Sequence, residues 1–161
     1  MLAAAAPVAG VTDMDPCPTT QPVPLLAIHG TADPILLFNG GVDIRAIPGL
    51  ADPGAGAEQT TSTTPEADLD GEGYPAAVGA FAARNGCDLE PSDSEVSDEV
   101  IRRTYECPPG ADVEFLVVEG GGHSWPSSEF SKSIESIVGY TTFDIDATRD
   151  AWEFMSQFTR D

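Results

Sequence analysis

Basic side chains are scarce in this sequence: 7 lysines and arginines stand against 27 aspartates and glutamates, Lys132 is the one lysine, and the formal charge is −20. A surface of that sign repels nucleic-acid phosphates and anionic headgroups, which removes nucleic acid and membrane surfaces from the expected partners. It reads instead as a solvated, salt-tolerant coat suited to a saline habitat, where screening relieves self-repulsion. Long apolar runs are missing as well; none approaches the ~20 residues that a membrane span needs. The opening MLAAAAPVAGV lacks a positively charged flank and is broken by Pro7, so it reads as an interior strand rather than a secretion signal. Cysteine is sparse, and Cys17, Cys87 and Cys107 show none of the close pairs of a zinc site. Neither a metal nor another cofactor is expected. Cys87 and Cys107 lie 20 residues apart, a spacing that suits a bridge or two buried thiols. A bridge would imply an oxidising, extracytoplasmic compartment.

What is present is material for a core: 41% of the 161 residues are apolar, enough for one domain of ordinary size. The run VPLLAI at 23–28 has no polar alternation, the mark of a strand covered on both faces, as in a parallel sheet flanked by helices. Further strands are expected at 2–9, 99–106 and 111–118, the last two joined by a short turn at CPPG. YPAAVGAFAARNG puts Ala77, Val78, Phe81 and Ala82 on one helical face and stops at Asn85-Gly86. DIDATRDAWEFMSQF carries Ala151, Trp152, Met155 and Phe158 at helical spacing behind Asp146 as N-cap, with Trp152 expected in the core. Residues 40–73 are too rich in Gly, Pro, Thr, Asp and Glu to offset their ordering entropy and are expected to form a flexible acidic excursion. The fold class is therefore α/β with a mostly parallel sheet. Four strands are too few for a full doubly wound sheet, so residues 1–161 are expected to be part of a domain whose N-terminal half lies elsewhere.

Two short stretches carry chemistry. In AIHGTADP the apolar strand ends at Ile28, the chain turns, and Asp33 follows just past the strand's carboxyl end, where ligands and catalytic groups of α/β sheets gather. In VVEGGGHSWP, His123 sits past the end of another strand, behind three glycines that would let the backbone bend. An acid followed by a histidine, each on a strand-end loop, is the chain order of the last two members of an α/β-hydrolase triad. A histidine that takes a proton from a serine needs its second ring nitrogen held by an acceptor, and it becomes an imidazolium that a carboxylate stabilises. Asp33 and His123 are accordingly the candidate catalytic acid and base. His29 precedes the turn, nearer the body of the sheet, and is expected to have a supporting role.

PVPLLAIHGTADP, FAARNGC and VEFLVVEGGGHSWP together resemble the secreted polyhydroxybutyrate depolymerase and feruloyl esterase-like group of α/β-hydrolases. The resemblance runs from Ala4 to Phe158 apart from the acidic excursion, and Gly122-His123-Ser124-Trp125-Pro126 is its most specific part. It implies an α/β-hydrolase fold with Asp33 as catalytic acid and His123 as general base. It also implies a Cys87–Cys107 disulfide, and hence secretion, and Trp125 as a lining of the substrate pocket. The implied substrate is an ester, either a polyester oligomer or an esterified plant polysaccharide.

The nucleophile is missing. The family carries it in a Gly-x-Ser-x-Gly elbow, and no such pattern occurs in the 161 residues; Ser124 and the serines from 127 to 136 have no elbow context. The expectation is the C-terminal part of a secreted serine ester hydrolase that supplies Asp33 and His123 and is inactive alone. The other reading is a non-catalytic remnant serving as a binding or partner module.

Overall fold

The computed structural model describes residues 2–11, 21–43 and 67–159. Cys17 and residues 44–66, most of the expected acidic excursion, lie outside the described residues. Four strands form one sheet in the order β1-β4-β3-β2: β1 (Leu25–Gly30), β2 (Ser92–Ser97), β3 (Val100–Tyr105) and β4 (Val113–Val118). β1 and β4 run parallel, in register from Leu25↔Val113 to Gly30↔Val118. All six residues of β1 are buried, as are Val113 and Phe115 to Val118, which accounts for the unalternated apolar runs.

The expected mostly parallel sheet is corrected to a mixed one. β3 pairs antiparallel with both β4 and β2. The short connection through CPPG leaves no room for a crossover, so β3 and β4 must run in opposite directions. β2 was not foreseen: its sequence, SDSEVS, is polar apart from Val96 and almost entirely exposed, as suits an edge strand. The segment at 2–9 lies along the far side of β1, but it bridges rather than forming a continuous strand. Ala5 and Val8 pair in parallel with Leu25 and Ile28, and Pro7, between them, has no N–H to donate. Ala5 and Ala9 donate, and Ala5 and Pro7 accept, toward β1. The backbone groups of Ala4, Ala6 and Val8 have no backbone partner among the described residues, leaving that edge open.

One helix covers each face of the sheet. α1 (Tyr74–Asn85) packs Tyr74, Ala77, Val78 and Ala82 against Leu25, Ala27, Phe115 and Val117, and ends at Gly86 in the left-handed conformation. The Asn85 amide donates to Val23 O and Ala111 O, fastening the helix end to the approaches of β1 and β4. α2 (Glu129–Ser133) and α3 (Glu135–Val138) are single turns in the connection that follows β4. α4 (Ala147–Met155) buries Ala147, Ala151 and Phe154, with Ala147 and Phe154 packed in the cluster of Leu26, Ile28, Leu116 and Val118, and Asp146 caps the Thr148 and Arg149 amides as expected. Trp152 is not in the core: it is 69% exposed. It lies ~100° around the helix from Ala151, off the stripe that Ala151, Phe154, Met155 and Phe158 share.

Cys87 and Cys107 form a disulfide. The two ends of the acidic excursion meet at a neck, where the Asn39 side chain donates to Asp68 O and Glu72 O and accepts from the Asp68 amide. Arg103, buried under this neck, donates to Asp70 and to both oxygens of Asp93, which hold its guanidinium firmly protonated.

Candidate active site

The parallel pairing of β1 with β4 sets the site. Their last residues, Gly30 and Val118, stand side by side, so the loops that follow leave the sheet at the same edge. Those loops are then stitched together: the Thr31 amide donates to Val118 O, the Ala32 amide to Gly121 O, and the Gly120 amide to the Thr31 hydroxyl. The three glycines divide the work. Gly120 takes φ +67, a turn conformation that disfavours side chains. Gly121 and Gly122 are needed for closeness instead: a β-carbon on Gly122 would come within 2.1 Å of Val138 O, and one on Gly30 within 2.2 Å of the Gly121 backbone.

This close packing brings Asp33 and His123 together. His123 Nδ1 lies 2.8 Å from Asp33 Oδ2. The Asp33 side chain is fully buried, whereas that of His123 is 31% exposed. Asp33 divides its two oxygens: Oδ1 accepts the amides of Ile35 and Leu36, both at 2.8 Å, and Oδ2 faces the imidazole. Facing a carboxylate oxygen, Nδ1 carries the ring hydrogen, and the lone pair is left on Nε2, which has no hydrogen-bond partner among the described residues. The hydrogen bond to Asp33 raises the His123 pKa above 6.5, partly opposed by burial. An imidazole so held can accept a proton at Nε2 with a carboxylate in place to stabilise the resulting cation.

His29 lies beneath the pair, 1% exposed. Its Nε2 is 3.0 Å from Leu36 O, and its ring stacks on Tyr74 with centroids 3.5 Å apart. Nε2 also lies 3.5 Å from Asp33 Oδ2, but burial lowers the His29 pKa to about 4. The ring is therefore neutral near pH 7, and that contact is not an ion pair. The link through Leu36 was beyond sequence reasoning; only the four-residue spacing from His29 to Asp33 hinted at it. Burial also pushes the Tyr74 pKa up to about 12, so its phenol stays neutral.

Trp125 is 41% exposed on the loop that carries His123. Its indole N–H donates to the Thr148 hydroxyl on α4 and its backbone N–H to Ser131 Oγ. The serines of this region direct their hydroxyls elsewhere: Ser124 to Tyr140 O, Ser127 to Ile145 O and Ser133 to Phe130 O. None bonds to His123. The described residues thus contain an acid and a base in contact, without a hydroxyl at Nε2.

No protein-family model matches the chain. The sequence is similar to the protein named "Putative esterase NocK" from Nocardia uniformis subsp. tsuyamanensis, at 31% identity over 143 residues. The match covers 84% of this chain but 38% of that protein, so the chain spans well under half the length of the curated relative. The similarity supports an esterase-like relationship.

Proposed function

We propose that this chain supplies the acid and the base of a serine ester hydrolase of α/β-hydrolase type, with the nucleophile carried by polypeptide outside these 161 residues. The observation that carries this reading is the 2.8 Å contact between His123 Nδ1 and Asp33 Oδ2 at the carboxyl ends of two adjacent parallel strands. His123 Nε2 takes the proton of the serine hydroxyl as it attacks the ester carbonyl, and Asp33 stabilises the imidazolium that forms. His123 returns that proton to the leaving alcohol, then activates the water that hydrolyses the acyl-enzyme.

Three features support the division of the site between two stretches of polypeptide: the lack of a Gly-x-Ser-x-Gly elbow, the 38% coverage of the esterase-like relative and the edge along Ala4, Ala6 and Val8, which is unpaired among the described residues. An unpaired edge half-covered by small apolar residues suits the addition of a further strand. The substrate is an ester of a polyester oligomer or of an esterified plant polysaccharide, and Trp125 lines its pocket. The Cys87–Cys107 disulfide supports secretion, and no helix among the described residues is long and apolar enough to cross a membrane. Hydrolysis of p-nitrophenyl acetate by the 161-residue chain tests the proposal. No turnover above buffer is expected; turnover that vanishes in His123→Ala would contradict an external nucleophile.

A further inference from the structure

His29 is an expensive residue for its position. Its ring is buried between Tyr74 and Phe38, yet Nδ1 finds no hydrogen-bond partner among the described residues. An unsatisfied buried nitrogen costs stability, and an apolar ring of the same shape would fill the space without that cost. Packing alone therefore does not explain an imidazole. What the imidazole adds is one donor, the Nε2 hydrogen that meets Leu36 O at 3.0 Å. The amide of the same Leu36 donates to Asp33 Oδ1 at 2.8 Å. These two bonds make a short circuit from His29 through one residue to the oxygen of Asp33 that His123 does not use.

We propose that His29 is a positioning residue for the acid and base: by holding the Leu36 carbonyl it keeps the Asp33–Leu36 turn closed, so that Oδ1 stays on the amides and only Oδ2 is offered to His123. Without that donor the turn can open and the carboxylate can rotate, since its burial fixes where it lies but not which oxygen faces the imidazole. The ionisable groups facing His29 are Asp33 on its own turn, Tyr74 from α1 and His123 from the loop after β4. The inference rests on the acid–base reading of Asp33 and His123.

The chain contains two histidines, so imidazole NMR reads each one separately. The experiment titrates His123 in the native chain, in His29→Phe, which keeps a ring on Tyr74 but removes the donor, and in His29→Gln, which restores one. In the native chain the His123 midpoint is expected above 6.5. It should fall toward 6.5 by about half a pH unit or more in His29→Phe and recover at least partly in His29→Gln. An unchanged His123 midpoint in a folded His29→Phe overturns the positioning role, because a purely packing residue would leave it unmoved. Where His29→Phe does not fold, the nitrogen shifts of the native chain decide: His29 must carry its hydrogen on Nε2 and His123 on Nδ1, and a His29 with its hydrogen on Nδ1 overturns the inference. A native His123 midpoint at or below 6.5 in a chain with a dispersed amide spectrum sinks the acid–base reading itself, which keeps the two failures apart.

Discussion

At the scale of single residues, Asp33 and His123 were legible because chain order and strand ends both point to the same edge of a sheet. The partition of the Asp33 oxygens was not legible, because it depends on the amides of Ile35 and Leu36 and on which way the His29 ring turns. The two histidines pull stability in different directions with pH. His29 has its folded pKa lowered from 6.5 to about 4, so it favours the fold fully above 6.5 and that contribution is lost as pH falls from 6.5 to about 4. The gap corresponds to roughly 3 kcal/mol. His123 has its pKa raised, so its contribution is present below 6.5 and lost as pH rises through the raised value. Denaturant titrations at pH 7 and pH 4.5 should show a smaller acid loss of stability in His29→Gln than in the native chain; equal losses would mean that His29 is not buried as a neutral ring. In the proposed reaction His123 acts as the base and must be in its basic form. The activity of the complete enzyme should therefore rise with pH through a midpoint above 6.5, and His29→Phe should shift that midpoint down.

At the scale of elements, the strands that bury both faces were readable from their unbroken apolar runs, and α1 from its apolar face and its Asn85-Gly86 stop. β2 was hidden because an exposed edge strand has no reason to alternate. Trp152 was misassigned because helical spacing was read pairwise; the direction of the whole stripe excludes it. The difference is measurable. Trp152→Ala should change stability by less than about 0.5 kcal/mol, whereas Phe154→Ala, which empties a core position between α4 and the sheet, should cost about 3 to 5 kcal/mol. Urea titration of the two variants checks this, and a large loss in Trp152→Ala would mean that the side chain is covered. The Cys87–Cys107 bridge closes a loop of 20 residues between α1 and the β3–β4 connection. Replacing both cysteines by serine should cost about 3 kcal/mol, read as a lower denaturation midpoint.

At the scale of the whole molecule, composition alone reveals the charge, and the charge sets a condition for folding. With a formal charge of −20, self-repulsion is relieved by screening, so the melting temperature should rise as sodium chloride is added from ~0.05 to 1 M. A melting temperature that stays level would remove the salt-tolerant reading of the surface. The sequence also revealed what the chain does not contain, since a Gly-x-Ser-x-Gly elbow is a local pattern whose absence needs no structure. It could not show that the outer edge of segment 2–9 is unpaired among the described residues, which depends on which backbone groups β1 uses. The most direct test takes the polypeptide translated from the complete reading frame that contains these 161 residues and compares p-nitrophenyl acetate turnover in native protein and His123→Ala. The account predicts a fall in kcat of about 10⁶-fold with folding intact; undiminished turnover in the variant would contradict it.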